Sequence, residues 1–197
     1  MTVNILLVVF GYLCGSIATA IVLCKFMGLN DPRLDGSGNP GATNVLRLHG
    51  KKAGMLALAG DTLKGVVPVL LARYIGAPDT VIALAGLAAF LGHLYPVFYG
   101  FKGGKGVATL AGVLVATSWQ AGLLFVITWA VIAFAFRYSS LASLISAVMV
   151  PVYVFALLPG YAYVTCFCIM VILLIWRHQL NIQKLLAGTE SKIGAGR

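Results

Sequence analysis

The chain has 197 residues, 60% of them hydrophobic and only 10% charged, and its mean hydropathy is +0.98. Those values exclude an ordinary soluble domain and point to an integral membrane protein, with room for one polytopic helical domain over residues 1–197. The formal charge of +9 comes from 14 Lys and Arg against five Asp and Glu. No basic stripe is interleaved with aromatics, so nucleic acid is not the expected partner; basic residues in short loops instead mark the cytoplasmic face and favour anionic lipid or a phosphorylated substrate.

Residues 3–26 are apolar and long enough to span. Ala18-Thr-Ala20 resembles a signal-cleavage site, but no basic residue precedes the run and Lys25 follows it, so an uncleaved first helix with its N-terminus outside is expected. Gly11, Gly15 and Ser16 mark it for close helix packing. A cytoplasmic loop over 30–50 carries Gly36-Ser-Gly-Asn-Pro-Gly-Ala-Thr-Asn-Val-Leu-Arg47. Its glycines let the backbone turn sharply, Ser37, Gly38, Asn39, Thr43 and Asn44 supply donors, and Arg47 offers a fork that matches phosphate. That composition reads either as an anion cradle or as a polar turn with asparagine caps.

The second span, 52–75, holds Asp61 and Lys64 in an otherwise apolar run. Three residues apart, they share a helix face and can neutralise each other; a functional role and a structural ion pair carry equal weight. After a third span at 80–99 comes Gly100-Phe-Lys-Gly-Gly-Lys-Gly106, in which Lys102 and Lys105 flank Gly103 and Gly104. It is not a Walker loop, because Gly106 stands where Ser or Thr is required. Two glycine-rich basic loops on one face nevertheless favour a phosphate site over two unrelated turns. His93, at the end of an apolar helix, reads as structural more often than catalytic.

A single helix over 107–136 would run about 45 Å against a hydrocarbon core of about 30 Å. Splitting it into 105–118 and 121–136 leaves Arg73 as the one basic residue outside, whereas one long span would also carry Arg137, Arg177, Lys184, Lys192 and Arg197 there. The positive-inside rule therefore predicts the split. Spans at 141–158 and 161–176 follow, and an amphipathic cytoplasmic tail carries His178, Asn181 and Glu190. The expected fold is all-α, with seven transmembrane helices, N-terminus outside and C-terminus cytoplasmic. Cys14, Cys24, Cys166 and Cys168 show no ligand or disulfide spacing and are expected to be free.

Several chemistries lack their residues. The five scattered acids do not form a magnesium site, the residues five positions beyond His49, His93 and His178 are Gly54, Phe98 and Gln183 rather than aspartate, and no Gly-x-Ser-x-Gly elbow occurs. The inventory amounts to phosphate grips plus His178, which suits a transferase whose leaving group is already good.

With Gly92-His-x-x-Pro-Val-Phe98, Phe101-Lys-Gly-Gly-Lys-Gly-Val-Ala-Thr109, His178-x-x-Asn-Ile182 and Gly188-x-Glu190, the first loop resembles the three signature loops of the bacterial membrane acyl-phosphate:glycerol-3-phosphate acyltransferases. Asp61-x-x-Lys-Gly65 and Arg137-Tyr-x-Ser-Leu-x-Ser143 also match, in the same order and over essentially the whole chain. The resemblance implies acyl transfer from acyl phosphate to the 1-hydroxyl of glycerol 3-phosphate in the bacterial inner membrane, opening phospholipid synthesis, with no cofactor or metal and neither coenzyme A nor acyl carrier protein as direct donor. Arg47, Lys105, His178 and Asn181 are then the expected catalytic set. Ser37, Gly38, Asn39, Thr43, Asn44, Lys102, Gly103, Gly104 and Ser143 are the expected substrate contacts. His178 or a substrate phosphate takes the hydroxyl proton, and Glu190 is expected to clamp the tail to a basic loop. A transporter of a phosphorylated solute is the competing class; it predicts paired inverted halves, and no internal repeat is evident.

Overall fold

The computed structural model describes residues 1–194, so Arg197 and its place in the charge count lie outside the described residues. The described residues are helical, with no strand, and they cluster as two compact units, Met1–Thr117 and Ser118–Arg197. Four helices are long and apolar enough to cross a membrane, and six spans result if each of two bent helix pairs counts as one.

The first unit holds α1 (Thr2–Gly15), α2 (Thr19–Phe26), α3 (Ala42–Tyr74), α4 (Asp79–Leu94) and α5 (Val107–Thr117). The expected single helix at 3–26 is thus two, bent by 47°. Ser16 binds back through Oγ to the Tyr12 carbonyl, and the Tyr12 hydroxyl donates to the Tyr95 carbonyl, which ties the break to the end of α4. Close approach along α1 is paid in glycine: a Cβ at Gly11 or Gly15 would collide with the carbonyls of Ala85 or Ala89 on α4. The same device joins α3 to α5, where Gly112 lies on the Thr62 backbone and Gly65 on that of Thr109.

α3 begins ten residues before the expected span, so Thr43, Asn44 and Arg47 stand on a helical arm rather than in a loop. The arm ends at Gly50, whose φ of 82° and ψ of −177° belong to a region open to glycine alone. Leu46 of the arm then packs on Gly54 of the main helix. α2 covers this elbow, as Ala20 and Cys24 pack with Val45, Ala53 and Ala57. The expected span at 80–99 is helical to Leu94; Pro96 interrupts it, and a short 3₁₀ turn, Val97–Tyr99, follows. α5 is 11 residues, about 16 Å, and Arg73 caps it by donating to the Ala116 and Thr117 carbonyls.

The second unit holds α6 (Trp119–Phe136), α7 (Ser139–Leu157), α8 (Tyr161–Arg177) and α9 (Gln179–Leu186). Ser118 has extended backbone and caps α6 by accepting from the Ala121 N–H, which starts this helix two residues earlier than expected. Val150 and Val154 of α7 and Phe167, Met170 and Leu174 of α8 are fully buried. α8 and α9 form the second bent pair, at 57°, with His178 between them.

Candidate active site

Asn44 organises the first loop from the start of α3. Its side chain is 2% exposed; Oδ1 accepts from the Ser37 N–H at 3.0 Å, while Nδ2 donates to the carbonyls of Pro32 and Asp35. Asn44 thus clasps the loop from within and holds its shape. Gly36 must lack a side chain because a Cβ there would meet the Asn44 amide. Asn39 lies against Gly41 in the same way. Ser37, Gly38, Thr43 and Arg47 are exposed.

Arg33 is excluded as the loop's phosphate cation by its own pairing. Its guanidinium is engaged by Asp31, with Nη2 donating at 2.6 Å and Nε at 3.0 Å. Those bonds hold the Asp31 carboxyl below its ordinary range. Because the folded value is depressed, whatever the pair adds to stability is present above the unfolded value and is lost as pH falls through the folded one. Arg47 is left as the arginine of this loop with its fork turned outward.

The second glycine turn is built differently from an open phosphate cradle. The N–H groups of Gly103 and Gly104 donate to the Leu94 and His93 carbonyls at 3.2 and 3.1 Å, satisfying the C-terminal end of α4. A Cβ on Gly103 would strike those same carbonyls, and one on Gly104 would strike the His93 ring. These two glycines seat the turn on α4. Gly106, at φ +89°, packs beneath Phe90 in the same manner. What the turn presents outward is Lys102, fully exposed, with Lys105 partly covered.

The two glycine loops meet. Pro40 of the first and Gly103 and Gly104 of the second line one small pocket, whose remaining wall is Ala18, Asp61, Lys64, His93 and Pro96. Its floor is a buried polar cluster in which Asp61 bonds Lys64 Nζ at 2.9 Å, lies 3.5 Å from His93 Nδ1 and accepts from Thr19 Oγ1. Lys64 also donates at 2.9 Å to the Ile17 carbonyl, which lies at the break between α1 and α2 and accepts from the Thr19 N–H as well. The intramembrane pair was visible in the sequence, whereas its third partner His93 was not, because 32 residues separate them.

The second unit contributes its own set. His178, 3% exposed, sits at the bend, and its Nδ1 lies 2.8 Å from the Leu174 carbonyl. A carbonyl only accepts, so Nδ1 carries a proton and Nε2 is the basic nitrogen of the neutral ring. One helical turn on, Asn181 Nδ2 donates to Glu190 Oε1 at 2.8 Å, and Ser140 Oγ donates to the same oxygen at 2.6 Å. Glu190 thus clamps the tail to Asn181 and the start of α7, not to a basic loop as expected. The tail is further tied by Ile193, whose N–H donates to the Arg137 carbonyl and whose carbonyl accepts from the Arg137 guanidinium. Ser143, an expected substrate contact, is 4% exposed and spends its hydroxyl on the Ser139 carbonyl and the Trp129 indole N–H. The indole bond ties α7 to α6. Among the described residues no group of three His, Cys, Asp or Glu side chains is placed to hold a metal ion, and all four cysteines are free.

A family model described as glycerol-3-phosphate acyltransferase matches residues 5–188. A glycerol-3-phosphate acyltransferase of Methylococcus capsulatus is 49% identical over the whole of both chains, and one of Burkholderia orbicola is 56% identical over 93% of this chain and 89% of its own. The crystal structure of PlsY (YgiH), an integral membrane glycerol 3-phosphate acyltransferase, in its glycerol 3-phosphate form, superposes with a TM-score of 0.92 at 43% identity, covering 97% of this chain and 96% of that one. The lysophosphatidic acid form gives 0.90 at 42% identity, over 97% of this chain and 95% of that one.

Proposed function

We infer that this chain, which belongs to the glycerol-3-phosphate acyltransferase family and is an integral membrane enzyme of that class, takes its acyl group from acyl phosphate. The glycerol 3-phosphate 1-hydroxyl oxygen attacks the acyl carbonyl, the bond from that carbonyl to phosphate oxygen breaks, and 1-acyl-glycerol 3-phosphate and inorganic phosphate leave. The observation that carries this reading is the meeting of two cation-bearing glycine turns at one pocket, lined by Pro40 of the first and by Gly103, 63 residues further on, of the second. A mixed anhydride needs little activation, so the protein's work is to orient two anionic head groups and screen their repulsion. Arg47, Lys102 and Lys105 supply that screening, with Ser37, Gly38, Asn39 and Thr43 in the exposed rim of the first loop.

The hydroxyl proton passes to the departing phosphate, which gains charge as the hydroxyl loses its proton. His178 Nε2 and the Asn181 amide position glycerol 3-phosphate. His178→Ala is accordingly expected to raise the KM for glycerol 3-phosphate about tenfold or more while kcat falls much less. A kcat lowered by about 10² or more at unchanged KM would return the proton to His178. The supporting topology is seven spans, α5 counted as one, with the N-terminus outside and the loops on the cytoplasmic side of a bacterial inner membrane.

The donor is tested with purified protein in detergent. Acyl phosphate and glycerol 3-phosphate are expected to yield phosphate and acylated product in equal amounts, while acyl coenzyme A and acyl carrier protein yield neither. Turnover with either thioester alone would overturn the donor assignment. A transporter of a phosphorylated solute would release no phosphate under any of these conditions.

A further inference from the structure

Nothing in the reaction calls for Asp61, Lys64 or His93, yet they form the most deeply buried charged group among the described residues, with side chains 2%, 7% and 6% exposed. Burying charge inside an apolar helix bundle is costly unless it is paired, and Asp61 and Lys64 are paired with each other. The way they connect to the second glycine turn explains their retention. That turn is held at its entry, where Gly103 and Gly104 hang on the Leu94 and His93 carbonyls and the His93 ring lies against Gly104. It is held again just past its exit, where Thr109 Oγ1 donates to the Asp61 backbone carbonyl at 3.0 Å. Asp61 therefore touches both anchors: its carboxylate faces His93, and its carbonyl takes Thr109. Lys64 and Thr19 fix that carboxylate in turn, Lys64 by bridging it to Ile17 at the break between α1 and α2.

We propose that Asp61, with Lys64 and His93, is a positioning centre that sets where the 100–106 turn presents Lys102 and Lys105 to the phosphorylated reactants. This rests on the reading of that turn as a phosphate grip. The centre acts from beneath, through the two ends of the turn, and touches neither reactant. Its consequence is a division of labour within the first unit: exposed lysines carry the charge, and a buried ionic cluster carries the geometry.

Steady-state phosphate release by the full-length protein, with each reactant varied in turn, tests this on Lys105→Ala, Asp61→Asn and Thr109→Val. Lys105→Ala is expected to raise the KM of one reactant, and Asp61→Asn to raise the KM of that same reactant about tenfold while kcat stays within about threefold. Thr109→Val removes one hydrogen bond and no charge; it is expected to shift the same KM about threefold, and it keeps the test alive should Asp61→Asn fail to fold. If Lys105→Ala shifts a KM while Thr109→Val and any folded Asp61→Asn protein leave both KM values unaltered and lose only thermal stability, the cluster is structural and the proposal falls alone. An unaltered KM in Lys105→Ala would remove the phosphate grip itself, and this proposal with it.

Discussion

Lys105→Ala is expected to lower kcat/KM by about two orders of magnitude, roughly 3 kcal/mol of transition-state stabilisation. The reason is charge balance. With acyl phosphate as the proposed donor, two phosphorylated reactants approach with their anionic groups close together, and in the first unit Arg33 is engaged by Asp31 and Lys64 by Asp61. Lys105 follows Gly104 of the pocket lining in sequence and is partly withdrawn from solvent, so its charge is screened less by salt than that of the exposed Lys102. Arg47→Ala is expected to cost a similar factor. Lys102→Ala should cost less, about threefold to tenfold, because a fully exposed ammonium is worth less. The check is steady-state phosphate release at fixed ionic strength; rising salt should narrow the gap between the wild type and Lys102→Ala before it narrows the gap to Lys105→Ala.

Glu190→Ala is expected to remove most activity and about 2–3 kcal/mol of stability together. One carboxylate oxygen takes hydrogen bonds from both Ser140 and Asn181. Bonds to a charged acceptor are each worth about 1.5–3 kcal/mol, and losing the acceptor strands two donors at once. The functional loss follows from the same contact, since the Asn181 amide can be turned correctly only while Nδ2 is held. Glu190→Gln keeps one acceptor oxygen at that place and should recover part of both losses. Thermal unfolding of the detergent-purified variants, followed beside activity per folded molecule, separates the two effects. A Glu190→Ala protein with unchanged melting and unchanged KM for glycerol 3-phosphate would show that the clamp does neither.

Much of this site was legible in the residues themselves, because intramembrane charge, glycine next to lysine and a lone histidine after an apolar helix are each unusual enough to notice. Composition could not separate a glycine that cradles an anion from one that lets backbone pack. Gly103 and Gly104 do let backbone pack, as the carbonyls of His93 and Leu94 and the His93 ring occupy the space a side chain would need. Nor could it foresee that Asn44 would turn inward, since an asparagine near a helix start serves equally as a ligand contact or a loop clasp. The break in the first helix was hidden for a different reason. Residues 15–19, Gly-Ser-Ile-Ala-Thr, contain no proline and keep the apolar run intact, and the break is stabilised by partners far along the chain, Tyr95 near one side and Lys64 at the Ile17 carbonyl. The Ser143 contact with the Trp129 indole was not foreseeable, because Trp129 lies on another helix at no fixed spacing.

The central claim is that one protein molecule holds two phosphorylated reactants at the same time and transfers the acyl group directly between them. Equilibrium binding of glycerol 3-phosphate to the full-length protein saturated with a non-hydrolysable acyl phosphonate tests it most directly. One glycerol 3-phosphate is expected to bind per chain with the phosphonate still in place; mutual displacement of the two ligands, or acyl label left covalently on the protein after acyl phosphate alone, would rule out direct transfer.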